Sequence, residues 1–143
     1  KIKRKLGFES LSIAETAFMN SLQENEIQIV LAQYGTTAYK IVNVCKKANI
    51  PLITHFHGYD ASVESVIKDC NYYKEVFDYS TYVIAVSISM KKKIIELGCP
   101  REKVIYNACA PNDLFLNIVP KFSQLNFISL GRFVNKKAPY NLF

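Results

Sequence analysis

The apolar positions of this chain fall into two kinds of run: short unbroken stretches, and longer stretches spaced at helical intervals. Residues 11–25 carry helical spacing, which predicts a helix with Ala14, Ala17, Phe18 and Leu22 facing inward and Ser10 or Ser12 as the cap. Residues 27–32 (IQIVLA) are nearly continuous in apolar character, the pattern of a strand buried on both faces of a parallel sheet. The pattern then repeats. A helix is predicted over 36–48, with Ala38, Ile41, Val42 and Cys45 inward, and a strand over 51–56 (PLITHF). A loop follows at His57, Gly58, Tyr59 and Asp60, and then helical material over 62–79, divided near Asn71. A third strand is predicted over 82–86. A helix over 90–97 follows it, capped by Ser89 and stopped by Gly98, and then a fourth strand over 104–107. Residues 112–115 read as a turn or short helical loop, 111–124 as a linker, and 125–130 (LNFISL) as a fifth strand running into a basic loop.

Strands interleaved with helices predict βαβ units, hence an α/β fold with a Rossmann-like parallel sheet, flanking helices and right-handed crossovers. In such sheets ligands bind beyond the carboxyl ends of the strands. That rule selects Gln33, Tyr34 and Gly35, then His57 to Asp60, then Ser87, then Gly131 and Arg132 through Lys137 as the first functional candidates.

Composition narrows the classes. Half of the 143 residues are hydrophobic, enough for a sizeable core and too many for a disordered chain. The net charge of +6 suits phosphate, nucleic acid or an anionic membrane surface, and equally an ordinary solvated exterior. The four cysteines, Cys45, Cys70, Cys99 and Cys109, contain no C-x-x-C pair and read as free thiols in a reducing cytoplasm. There is no apolar run of membrane-spanning length, and the basic residues Lys1, Lys3, Arg4 and Lys5 are not followed by an apolar signal core. The chain opens without methionine and stops within an expected helix, so it is expected to be truncated at both ends, with a second domain only begun.

Three stretches carry a family resemblance: LITHFHGYDAS (52–62), YVIAVSISMKKKIIELGCPREKVIYNACAPNDLF (82–115) and FISLGRFVNKKAP (127–139). In order and spacing they resemble the retaining, family 4 glycosyltransferases of bacterial surface-polysaccharide synthesis. The resemblance implies the GT-B architecture of two Rossmann-like domains facing a cleft. Residues 1–122 would be the acceptor-side domain without its first strand, and 123–143 the start of the donor-binding domain. It also implies a nucleotide-sugar donor, UDP- or GDP-linked, a saccharide or lipid-linked acceptor, and no cofactor or metal. The location would be cytoplasmic, with peripheral contact to an anionic inner leaflet through residues such as Lys91, Lys92 and Lys93.

Residue by residue, Arg132 and Lys137 match the family's G-R-x-x-x-x-K-G pattern and would hold the donor diphosphate. Their chemistry is apt, because a planar guanidinium and a compact ammonium can stabilise the charge of a departing diphosphate. Read alone, they fit a solvated basic loop as well. Ala138 stands where the family has glycine. His57 and Gly58 match the family's H-G, which places His57 at the point of sugar transfer, with Asp60 as a hydrogen-bond acceptor or base. Gly35, Thr36 and Gly58 would form acceptor-side loops, with Gly35 supplying positive φ and Thr36 capping a helix. A simple turn is the alternative for that loop. His55 is expected to be structural, beneath a helix, and Phe115 to be core. His55 and His57 share the face of an extended strand, a spacing some metal sites use, but two histidines alone do not complete a ligand set. The chain by itself is expected to be inactive. The rival classes are a non-catalytic α/β sugar- or phosphate-binding module and, last, a nucleic-acid-binding domain, which lacks an aromatic platform among its scattered cations.

Overall fold

The computed structural model describes residues 11–115, 119, 123 and 128–142. The chain divides into two compact units, Lys1–Cys109 and Ala110–Phe143. The first holds helix α1 (Ile13–Glu24), strand β1 (Val30–Gln33), helix α2 (Gly35–Ala48), strand β2 (Leu52–Phe56), the short helices α3 (Gly58–Ser62), α4 (Glu64–Asp69) and α5 (Lys74–Tyr79), strand β3 (Tyr82–Ala85), helix α6 (Ile88–Glu96) and strand β4 (Val104–Tyr106). The fold class is therefore the expected one: α/β, with a parallel sheet flanked by helices.

Local chemistry sets the element ends. Ser12 caps α1, its hydroxyl accepting from Glu15 N (3.2 Å) while the Glu15 carboxylate accepts from Ser12 N (2.8 Å). The carboxy end of α1 is a Schellman closure: Glu26 turns left-handed (φ 52), Glu26 N donates to Gln23 O, and Ile27 N donates to Leu22 O. Ile27 is therefore spent on ending the helix, and the strand expected from residue 27 begins at Val30. The inward face of α1 also differs from expectation. Leu22 is buried and Phe18 and Met19 pack with it, whereas Ala14 and Ala17 are exposed. Helix α6 is capped by Ser87, whose hydroxyl accepts from Met90 N (3.1 Å), rather than by Ser89. It stops at Gly98, whose φ of +106 suits a residue without Cβ.

The four strands are parallel in the order β1-β2-β3-β4. Right-handed crossovers that advance in one direction deliver every connecting helix to one face of the sheet. Burial follows: Ala32, Leu52, Thr54, Phe56, Val83, Ala85 and Val104 are buried under the helices. On the other face Leu31 and Ile105 are 53% and 41% exposed, and Ile53, His55 and Ile84 are half-buried. The expectation of strands buried on both faces is thus corrected, and His55 lies on the open face rather than beneath a helix.

The core gathers Ala38, Val42, Leu52, Phe56, Tyr73, Phe77 and Val83. Phe56 meets Tyr73 edge-on (5.0 Å, 87°) and lies 5.9 Å from Phe77. The break near Asn71 is three consecutive left-handed residues, Asn71, Tyr72 and Tyr73 (φ 48, 53 and 57). That strained turn drives the fully buried Tyr73 into the core. Cys45, Cys70 and Cys99 are buried free thiols and Cys109 is an exposed one. Burial pushes the Cys99 thiol up to about 11.

In the second unit, short turns of 3-10 helix span Asp113–Phe115, Asn135–Lys137 and Pro139–Leu142. Phe115, expected in the core, is 63% exposed. Of the fifth strand expected over 125–130, residues 128–130 are described and are not strand; 125–127 lie outside the described residues.

Candidate functional site

The carboxyl ends of β1 and β2 lie side by side, because the two strands pair in register with Gln33 opposite His55. The chain then leaves each strand directly into a helix. From β1 it passes through Tyr34 into α2, and from β2 through His57 into α3. The loop expected over 57–60 is thus the first turn of a helix. It is short because Asp60, three residues past the N-cap His57, accepts from His57 N at 2.8 Å through Oδ1.

Asp60 does more than cap. Its other oxygen, Oδ2, accepts from Gly35 N at 2.6 Å, so one carboxylate ties the start of α3 to the start of α2. The backbone carbonyl of Asp60 accepts from Tyr73 Oη at 2.9 Å. Asp60 is completely buried, with both carboxylate oxygens engaged by backbone donors. Burial raises its carboxyl above the ordinary value, and the N–H groups of Gly35 and His57 act in the opposite direction.

Gly35 is required for a different reason from the one expected. Its backbone is not in the left-handed region; its Cα lies against Phe56, and a Cβ there would overlap the Phe56 ring. Thr36 is not the cap of α2. The N-cap is Tyr34, which makes no side-chain cap bond, and Thr36 is a half-buried residue of the first turn. Tyr34 holds φ 77, unusual for a residue with a side chain, and its N–H donates to His55 O at 2.9 Å. Gly58 is exposed, and a Cβ there would meet open space.

Beside this staple stands a cluster of rings. The His57 ring lies 4.5 Å from Tyr34 and 4.5 Å from His55, centroid to centroid. Gln33 Oε1 sits 3.0 Å from His57 Nε2 and 3.1 Å from His55 Nδ1. His55 Nε2 is buried without a hydrogen-bond partner among the described residues. Burial lowers the pKa of His55, the neighbouring His57 lowers it further, and Asp60 acts in the opposite sense. No group of three metal-ligating side chains occurs among the described residues. A surface groove lined by Tyr72, Phe77 and Leu97, among others, contains none of these strand-end residues.

Of the residues singled out from sequence, Gly35, Thr36, His57, Gly58 and Asp60 therefore come together. Arg132 and Lys137 belong to the second unit, where both are exposed. There Val134 N donates to Arg132 O, Lys137 N donates to Val134 O, and Ala138 adopts the left-handed conformation (φ 44) at the family's glycine position. Gln33 was selected from sequence as a strand-end residue, but not as the partner of the two histidines, and Tyr73 was not selected at all. Gln33, a polar residue closing an apolar strand opposite a histidine, carried a legible signal; Tyr73 carried none.

The described residues contain no helix long and apolar enough to cross a membrane. No curated protein and no solved structure matches the chain. A family model described as Glycosyltransferase Family 4 does match, over residues 9–111, and that span contains the whole strand-end site. The chain belongs to glycosyltransferase family 4.

Proposed function

We propose that this chain is the acceptor-side part of a retaining glycosyltransferase of the GT-B type, which moves a sugar from a UDP- or GDP-linked donor to a saccharide or lipid-linked acceptor in surface-polysaccharide synthesis. One observation carries the reading: in a chain of this family, His57, Gly58, Gly35 and Thr36 converge at the carboxyl ends of two adjacent parallel strands. Residues 1–122 form the acceptor side on this reading, and the donor side starts at 123.

In the transfer, the bond from the sugar's anomeric carbon to the diphosphate oxygen breaks. A bond to the acceptor hydroxyl oxygen forms, and that hydroxyl's proton passes to the departing diphosphate oxygen. His57 orients the sugar and the attacking hydroxyl through its imidazole. Arg132 and Lys137 stabilise the charge left on the departing diphosphate, with no cofactor taking part. Asp60 is a positioning residue rather than a base. A fully buried carboxylate with both oxygens committed to backbone N–H groups does not reach an acceptor hydroxyl. Contact of the basic α6 residues Lys91, Lys92 and Lys93 with an anionic leaflet would bring the enzyme to a lipid-linked acceptor.

The test is a panel of UDP- and GDP-sugars offered to the protein expressed from its complete gene, with His57→Ala, Arg132→Ala and Lys137→Ala alongside. Turnover of one donor, lost by at least a hundredfold in the variants, is the expected result. Binding of a sugar nucleotide with neither hydrolysis nor transfer would make the protein a non-catalytic sugar- or phosphate-binding module. Turnover insensitive to all three substitutions would remove the assigned roles.

A further inference from the structure

Gln33 closes β1, opposite His55, with its side chain on the open face of the sheet. A single oxygen, Oε1, lies within hydrogen-bond distance of two imidazoles, at 3.1 Å from His55 Nδ1 and 3.0 Å from His57 Nε2. An amide oxygen only accepts, so each ring must donate the N–H that faces it. The proton of neutral His55 then sits on Nδ1 and that of His57 on Nε2. His55 is forced into the tautomer that a free imidazole disfavours, and its Nε2 is left as a buried acceptor without a partner among the described residues. The two ring centroids lie 4.5 Å apart with the planes tilted by 44°, and Tyr34 packs on His57 from a residue of positive φ, so the rings are restrained in tilt as well as in protonation.

We propose that Gln33 is a positioning residue that locks the two histidines in opposite tautomers and so fixes the orientation of the His57 ring at the strand ends. The role in sugar transfer rests on the function proposed above; the lock itself does not. A carboxamide suits the task because it accepts without carrying charge. A carboxylate in its place would also accept from both rings, but would add a negative charge to the pair.

The experiment reads tautomers directly, by long-range proton–nitrogen correlation on the isotope-labelled chain. The chain has only two histidines, and His55→Asn assigns them. The expected spectrum has His55 protonated at Nδ1 and His57 at Nε2. Gln33→Leu should return His55 to the Nε2–H form, while Gln33→Glu, whose carboxylate also accepts from both rings, should keep the opposite pattern. Gln33 is exposed, so these changes leave the core untouched. Identical tautomers in the native chain, or an unchanged pattern in Gln33→Leu, overturns the lock whatever the protein transfers. If the pattern collapses as expected while the protein expressed from the complete gene turns over no sugar nucleotide, the lock stands and the transferase reading fails. In the active protein, Gln33→Leu should lower kcat about tenfold with little change in KM for the donor, with Gln33→Glu restoring part of the rate. A collapsed pattern with kcat unchanged overturns the positioning role.

Discussion

The N–H of Gly35 and the Oδ2 of Asp60 lie 2.6 Å apart, joining two loops that are twenty-five residues apart in sequence. Because Asp60 Oδ1 is held by His57 N, that one bond makes the ends of β1 and β2 a single unit. Hydrogen bonds to a charged acceptor contribute about 1.5–3 kcal/mol, and removing the acceptor leaves buried donors unpaired. Asp60→Ala is therefore expected to lower stability by about 3 kcal/mol in urea unfolding, and to speed hydrogen exchange first at the amides of Gly35 and His57. Exchange at those two amides no faster than in the native chain would mean that the staple does not hold the loops.

The pH dependence of that penalty has a definite sign. Burial raises the Asp60 carboxyl from 3.8, so between 3.8 and the raised value the folded chain binds more protons than the unfolded one. Stability from this group is then complete below 3.8 and is lost as pH rises through the folded value. The gap between the native chain and Asp60→Ala should accordingly be widest in acid and narrow with rising pH. Other carboxylates are common to both chains and cancel in the difference. A gap that widens with pH would show that the Gly35 and His57 donors outweigh burial.

Two glycines of the site should respond in opposite ways. At Gly35 a methyl group would enter the Phe56 ring, which is itself fully buried and pinned by Tyr73 and Phe77. Overpacking of that kind costs about 1–3 kcal/mol, so Gly35→Ala should shift the unfolding midpoint clearly. At Gly58 a methyl group meets open space, and Gly58→Ala should stay within about 0.5 kcal/mol of the native chain. If Gly58 lies against the acceptor, the same variant slows transfer while its unfolding curve stays in place. Equal destabilisation by the two substitutions would contradict the geometry.

Ala138 gives a test in the second unit. Its left-handed backbone costs a residue with Cβ about 1–2 kcal/mol, and Ala138→Gly removes that strain while loosening the unfolded chain by about 0.4–1 kcal/mol. The folded-state gain is the larger, so a net stabilisation of about 0.5 kcal/mol is expected, read as slower amide exchange at Ala138 and Asn141, whose N–H groups donate to Asn135 O and Ala138 O. Faster exchange at both amides would mean that the turn does not need its left-handed residue.

Much of this protein was legible before any coordinates. The alternation of short apolar runs with helical spacing determined the α/β class, the first four strands in order and the strand ends where His57, Gly58 and Gly35 meet, because these depend on backbone periodicity within each segment. Boundaries went astray where a cap outbid an apolar run. Ile27 is as hydrophobic as any strand residue, yet its N–H closes α1; Ser89 could cap, yet Ser87 stands one residue before α6. What only the tertiary structure decided is what depends on which segments lie side by side. The one-sided covering of the sheet follows from strand order, and that leaves His55 on the open face. Asp60 reads as an available hydrogen-bond acceptor or base until Gly35 and His57 close over it. Gln33 gains its meaning from its register with β2, and Gly35 from the ring of Phe56. Apart from the local bond from His57 N to Asp60, these are contacts between residues more than twenty positions apart, and periodicity along the chain carries no record of such neighbours.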